Sequence, residues 1–201
     1  MDGNNINEVL NLVNKVLGDQ DYTNVEKAIL VLLYLYNDQI NVYKLHKMVF
    51  LASLNIKELR DEMEPEPRMY KDIFYDSTIT EALESLKLEG LIEGDTLLQL
   101  SSKGKEVTSH LSLSDQEKEI YKQIVDLFKD TTDDEILAIF YFTLDGMIKI
   151  ISPLYRIIKN RKELAISLYT KGKVSFNTAL EISGMDNRNF ASLLKKKIIY
   201  L

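Results

Sequence analysis

Apolar residues recur at helical spacing along most of the chain, and the interruptions mark where elements end. Ile6, Val9, Leu10, Val13, Val16 and Leu17 form one stripe, which predicts a first amphipathic helix. Asp19 to Thr23 breaks it. Thr23 followed three residues later by Glu26 is a capping-box pair, and it opens a strongly apolar helix through about Tyr36 that Asn37-Asp38 ends. A third helix is expected from Asn41 to about Leu54, with Val42, Leu45, His46, Val49, Phe50 and Leu51 on its apolar side.

Asp61 to Arg68 (DEMEPEPR) holds two prolines one residue apart and cannot be helix interior. Tyr70 to Tyr75 reads as extended chain. Thr78 or Thr80 starts the next helix (Ile79, Ala82, Leu83, Leu86), which ends at Gly90. Leu91 to Glu93, Gly94-Asp95 and Thr96 to Leu100 then read as two short strands around a turn. Ser101 caps a helix with Val107 and Leu111 expected on its buried side. Ser114 or Asp115 caps another, striped by Ile120, Ile124, Leu127 and Phe128. Thr131 to Glu135 places carboxylates at the positive end of a helix running to about Leu144.

The last forty residues carry the sharpest pattern. Leu164, Ala165, Leu168 and Tyr169 stripe a helix that stops at Gly172. Ser175 caps a short helix through Ile182, Gly184 stops it, and Asp186 caps a third helix that ends in three lysines. Two short helices hinged at a glycine, the second polar outside, have the form of a helix-turn-helix. Gly184 at the turn, Met185 after it, and Phe190 and Leu193 three apart on one face of the last helix fit its packing needs. Leu180 stands where a small residue normally lets the two helices approach, with Ala179 one position earlier.

These same residues carry a resemblance. Ala165, Leu168, Tyr169, Gly172, Lys173, Val174, Ser175, Ala179, Glu181, Ile182, Gly184, Met185 and Phe190 resemble a family of small uncharacterised prokaryotic helix-turn-helix proteins regarded as antitoxin-like. A second resemblance spans roughly Thr23 to Leu111. Lys44, Leu45 and Lys47 to Ala52, then Gly90, Leu91, Ile92, Leu100, Gly104 and Lys105, are similar to Panacea-like winged-helix proteins. Here Tyr75-Asp76-Ser77-Thr78-Ile79 replaces the Gly-Pro turn of that family. The implied fold is mainly α, a winged helix-turn-helix with a small β-hairpin, followed by a helical C-terminal helix-turn-helix module. The expected division is a winged-helix module over 1–112, a helical connector over 113–160 and the second module over 161–201.

Charge alters this picture. The net charge is −6, which argues against a nucleic-acid partner for the chain as a whole. From Leu154 onward, however, there are ten Lys and Arg against three Asp and Glu, a net +7. The preceding part holds fifteen against twenty-eight, a net −13. Such asymmetry points to one end that meets polyanions. The candidate recognition helix of the front module carries Glu81, Glu84 and Glu89 against Lys87, which would oppose a phosphate backbone; that module reads as a protein-interaction or dimerisation unit.

Catalytic chemistry finds little support. Cysteine is absent, which excludes disulfides and thiol nucleophiles. His46 and His110 have no partner at metal-ligand spacing, and no phosphate-cradling glycine loop occurs. Glu64 and Glu66 lie in a polar loop with nothing to raise a carboxyl pKa. No enzyme, cofactor or metal is expected. The apolar segment Ile136 to Ile158 is broken by Asp145, Gly146, Lys149, Pro153 and Arg156, so it reads as core and no membrane partner is expected. With five Asn among its first fourteen residues no secretory signal is expected, and the chain reads as cytoplasmic.

The sequence therefore predicts a DNA-binding transcriptional regulator acting as a homodimer on double-stranded DNA. Asn187, Arg188, Asn189 and Ser192 would meet base edges, and Lys171, Lys173, Lys195 and Lys196 would meet phosphates. The alternative is an antitoxin-like adaptor that binds a small toxin or other protein, with weak or no DNA binding. A winged-helix scaffold that binds neither is the third possibility.

Overall fold

A computed structural model of the chain describes residues 22–63, 68–70, 73–144 and 154–198. The described residues are mainly helical, with one small three-stranded sheet and a two-stranded ribbon. The chain divides into two compact units, Met1–Arg68 with Phe74–Val125 and Met69–Ile73 with Asp126–Leu201. The segment expected as a connector over 113–160 is thus shared between the two.

The first unit is built on α1 (Asn24–Tyr36), which is apolar nearly all round and buries Val25 and the whole run Ala28 to Leu33. A helix of that kind can only be a core element. Thr23 and Glu26 form the expected capping box, and Asn37 ends the helix with a left-handed φ of 55°. The Glu62 carboxylate accepts from the Val25 N–H at 3.1 Å and from Asn24 Nδ2 at 2.6 Å, filling further open donors at the same end. Glu62 closes α3 (Lys57–Glu62), a short helix that fits into the run before the prolines and was not expected.

Packed around α1 are α2 (Val42–Ser53), capped by Asn41, and α4 (Ser77–Leu88), capped by Asp76 rather than by Thr78 or Thr80. Asp76 Oδ1 accepts from the Thr78 and Ile79 N–H groups. The sheet has the order β1–β5–β4, all antiparallel: β1 (Ile40–Asn41) pairs with β5 (Leu97–Leu100), and β5 with β4 (Ile92–Glu93). Leu98 and Leu100 point inward while Leu97 and Gln99 face solvent, the alternation a half-buried strand requires. β2 (Arg68–Tyr70) and β3 (Ile73–Tyr75) form the ribbon; of the stretch expected as extended, Tyr70 and Ile73 to Tyr75 lie in it, and β2 begins two residues earlier than expected.

Ser101 caps α5 (Ser102–His110), accepting from the Gly104 N–H and donating to the Gly90 carbonyl at 2.7 Å. The buried side of α5 carries Gly104 and Thr108, whereas Val107 and Leu111 are only half-buried. A Cβ on Gly104 would lie 2.1 Å from the Leu91 carbonyl oxygen, so α5 approaches the strand region more closely than any side chain allows. Gly104→Ala normally gains helix propensity. Here it is expected to destabilise the first unit by about 1–3 kcal/mol through overpacking, read as a lower urea midpoint; an unchanged or higher midpoint would refute the close approach.

The second unit takes the end of α6 (Asp115–Phe128) and all of α7 (Asp133–Thr143), α8 (Leu154–Lys159), α9 (Arg161–Thr170), α10 (Phe176–Ser183) and α11 (Asn187–Ile198). Its core holds Phe128, Ile136 to Phe140, Ile157, Ala165, Ile166, Leu168, Ala179, Ile182, Phe190 and Leu194. Among the described residues no helix is long and apolar enough to cross a membrane. The stripe Ile6 to Leu17, the Glu64/Glu66 pair and the residues from Asp145 to Pro153 lie outside the described residues.

Candidate nucleic-acid interface

α9 ends as glycine-stopped helices do. Gly172 takes φ 69°, its N–H donates to the Tyr169 carbonyl and the Lys173 N–H to the Leu168 carbonyl, both at 2.9 Å, a complete Schellman closure. Ser175 Oγ then accepts from the Thr178 N–H and starts α10. Gly184, φ 64°, closes α10 and turns the chain into α11. Asp186 opens α11, accepting from the Asn189 N–H at 3.0 Å and from Asn189 Nδ2. Those hydrogen bonds from the Asn189 backbone and side chain hold the Asp186 carboxyl below the usual carboxylate range.

α11 is amphipathic. Phe190 and Leu194, one turn apart, are buried, and Leu193 is half-buried, so the anchoring pair is Phe190/Leu194 rather than Phe190/Leu193. Phe190 joins a row of rings across three helices: Tyr169 meets Phe176 edge-on at 5.8 Å between centroids, and Phe176 meets Phe190 at 5.5 Å. Ala179 is fully buried and Leu180 only half, so the small residue that admits close helix approach is Ala179.

The opposite face of α11 presents Arg188, Ser192, Lys195 and Lys196, all exposed, with Asn187 and Asn189 near its start. The Arg188 guanidinium makes no hydrogen bond to the described residues, whereas the Asn189 amide is already committed to Asp186.

The two lysines nearer the start of the motif have other work. Lys171 Nζ donates to both oxygens of Glu135 and to the Asp130 carbonyl, each at 2.8 Å. Three contacts use all three ammonium protons. Lys173 Nζ donates to the Asp126 carbonyl at the end of α6, a favourable place for a cation. Lys171 therefore has no proton left for a phosphate, and Lys173 is held against the fold.

Glu135 is the centre of this cluster. It is only 2% exposed, closes the capping box of α7 with Thr132, and also accepts from Ser167 Oγ at 2.6 Å. Burial pushes its carboxyl pKa up, but hydrogen bonds from Lys171, Ser167 and the Thr132 backbone outweigh that and hold it below the ordinary value.

Of the two histidines, His46 is buried in α2, and burial lowers its pKa to about 4. His110 is exposed at the end of α5 and its Nδ1 donates to the Glu106 carbonyl at 2.8 Å.

Sequence reading missed Arg161. Its Nε donates to the Ile182 carbonyl at 2.7 Å and its Nη2 to the Glu181 carbonyl at 3.0 Å, while its Cζ lies 4.1 Å from the centroid of the Phe142 ring. It caps the end of α10 from across the unit, and only a basic residue in the first turn of α9 hinted at it.

No curated protein and no solved structure matches the chain. The likeness of the front part to Panacea-like proteins therefore gains no support from these comparisons. The C-terminal resemblance gains support as a likeness to an uncharacterised family: residues 155–201, which hold α8 from its second residue and all of α9 to α11, match the model of an uncharacterised protein family, UPF0175.

Proposed function

We propose that the chain is a DNA-binding transcriptional regulator that reads double-stranded DNA with α10 and α11 as a helix-turn-helix. The observation that carries this is the composition of α11's outer face: Arg188, Ser192, Lys195 and Lys196 stand exposed on it, opposite the buried Phe190 and Leu194. Arg188 is the foremost base-reading residue, since a guanidinium pairs with guanine through two hydrogen bonds. Asn187 and Ser192 support it, and Asn189 acts mainly through the start of the helix. Lys195 and Lys196 take the phosphates. A homodimer would set two such helices in successive grooves. The first unit, with its β1–β5–β4 sheet and the exposed Glu81 and Glu84 on α4, is proposed as a winged-helix module for protein contacts.

The engagement of Lys171 and Lys173 inside the fold favours a second reading, an antitoxin-like adaptor that holds a protein partner and binds DNA weakly. A salt titration separates the two. With two or three phosphate contacts per subunit, log K is expected to fall with log salt at a slope of about −2 to −3. Lys195→Glu with Lys196→Glu should abolish most of that dependence. Absent binding at low salt, or binding indifferent to the double substitution, would leave the adaptor. Co-purification of a small protein partner would favour it directly.

A further inference from the structure

We infer that Arg161 is the positioning residue of the DNA-reading helix, a latch that fixes the angle at which α11 leaves α10. The inference rests on the proposed DNA-reading role of α11, but its geometric part stands without it.

The turn between the two helices is short: α10 ends at Ser183, Gly184 is left-handed, and α11 begins at Asn187. Its conformation sets where Arg188 and Ser192 point. The last carbonyls of a helix have no intrahelical partner; at α10 one guanidinium takes the Ile182 carbonyl and adds a second bond to the Glu181 carbonyl, which also accepts from the Gly184 N–H at 3.2 Å. The fork spans adjacent carbonyls, which a single ammonium cannot reproduce.

Two further contacts hold the latch in place. Phe142 of α7 lies 4.1 Å from the guanidinium carbon, within the range of a cation–π contact. On the other side, a Cβ on Gly184 would lie 2.6 Å from that same carbon. The guanidinium thus sits directly against the turn glycine, and the turn cannot close or rotate toward α9 without displacing it. Arg161 lies more than twenty residues from the turn it controls, on the helix before the motif.

Amide hydrogen exchange and duplex binding, measured on the full chain, test this together. The probe is a duplex recovered from a random-sequence library by the wild-type protein, compared with a scrambled duplex of the same composition. Arg161→Lys keeps the charge and loses the fork. It is expected to speed exchange at Met185, Asn189 and Phe190 while α7 amides stay protected. It should also reduce the preference for the selected duplex about tenfold, the scale of one lost base contact, with the salt slope unchanged. If Arg161 were instead a phosphate contact, lysine would substitute for it and the preference would survive. Phe142→Leu, which leaves the carbonyl contacts in place, should give the same changes at smaller size. Wild-type exchange and wild-type preference in Arg161→Lys would overturn the latch. Should the wild-type protein select no duplex, the DNA reading fails, and the exchange data alone still decide the latch.

Discussion

Lys171→Met is expected to destabilise the second unit by about 2–4 kcal/mol, the scale of a buried ion pair that loses one partner. The loss comes from what is left behind. Glu135 is 2% exposed and would keep its charge with only Ser167 and the Thr132 backbone as donors. The pH dependence should weaken as well. In the wild type the Glu135 pKa is held below its unfolded value, so its contribution is present above about pH 4.3 and is lost as pH falls through the folded pKa. Without Lys171 two of the lowering causes are gone while burial and the Ser167 and Thr132 hydrogen bonds remain, so the folded pKa should rise and this loss of stability on acidification should shrink. Glu135→Gln added to Lys171→Met should recover at least half the loss, because glutamine at this position still closes the capping box. Urea denaturation between pH 3 and 7 reads the wild type and both variants. Equal stability of Lys171→Met and wild type at pH 7 would show that the pair does not hold the unit together.

The peptide comprising residues 155–201 is expected to be unfolded on its own. The family match begins at 155, yet the core those residues share includes Ile136 to Phe140 on α7. Lys171 and Lys173 are likewise satisfied by Glu135, Asp130 and Asp126, all outside the fragment. Cut at 155, α9 and α10 would expose Ala165, Ile166, Leu168, Ala179 and Ile182, and so short a chain has little other surface to bury. Far-UV circular dichroism should show low helicity and no cooperative melt, while residues 113–201 should fold. A cooperative transition in the short peptide would mean that the matched segment is a domain by itself.

Most element ends were legible in the residues because they are local chemistry. Thr23 with Glu26 and Thr132 with Glu135 form the capping boxes their spacing predicts, and Ser101, Ser175, Gly172 and Gly184 do what a hydroxyl or a glycine does at those positions. Strand β1 was not legible, because two residues show no period; only Leu97 and Leu98, far along the chain, make Ile40 and Asn41 a strand. The buried pair on α11 was misplaced by one residue, since three- and four-residue spacings both lie on one helical face.

The candidate site divides in the same way. The outward face of α11, with Arg188, Ser192, Lys195 and Lys196, follows from period and charge alone. The uses of Lys171 and Lys173 do not, because an ammonium looks the same in a sequence whether it meets a phosphate or a carboxylate 36 residues away. Arg161 was silent for the same reason.

The sequence alone determined where the helices start and stop, that the chain's basic charge gathers at its end, and which helix there carries it. Tertiary structure alone decided which lysines of the described residues the fold engages, which turn is held, and which distant carboxylate a lysine serves. Caps and periods are settled within a few residues of chain, whereas the partner of a buried charge is settled by whatever group the fold brings within about 3 Å, and no local pattern encodes that distance.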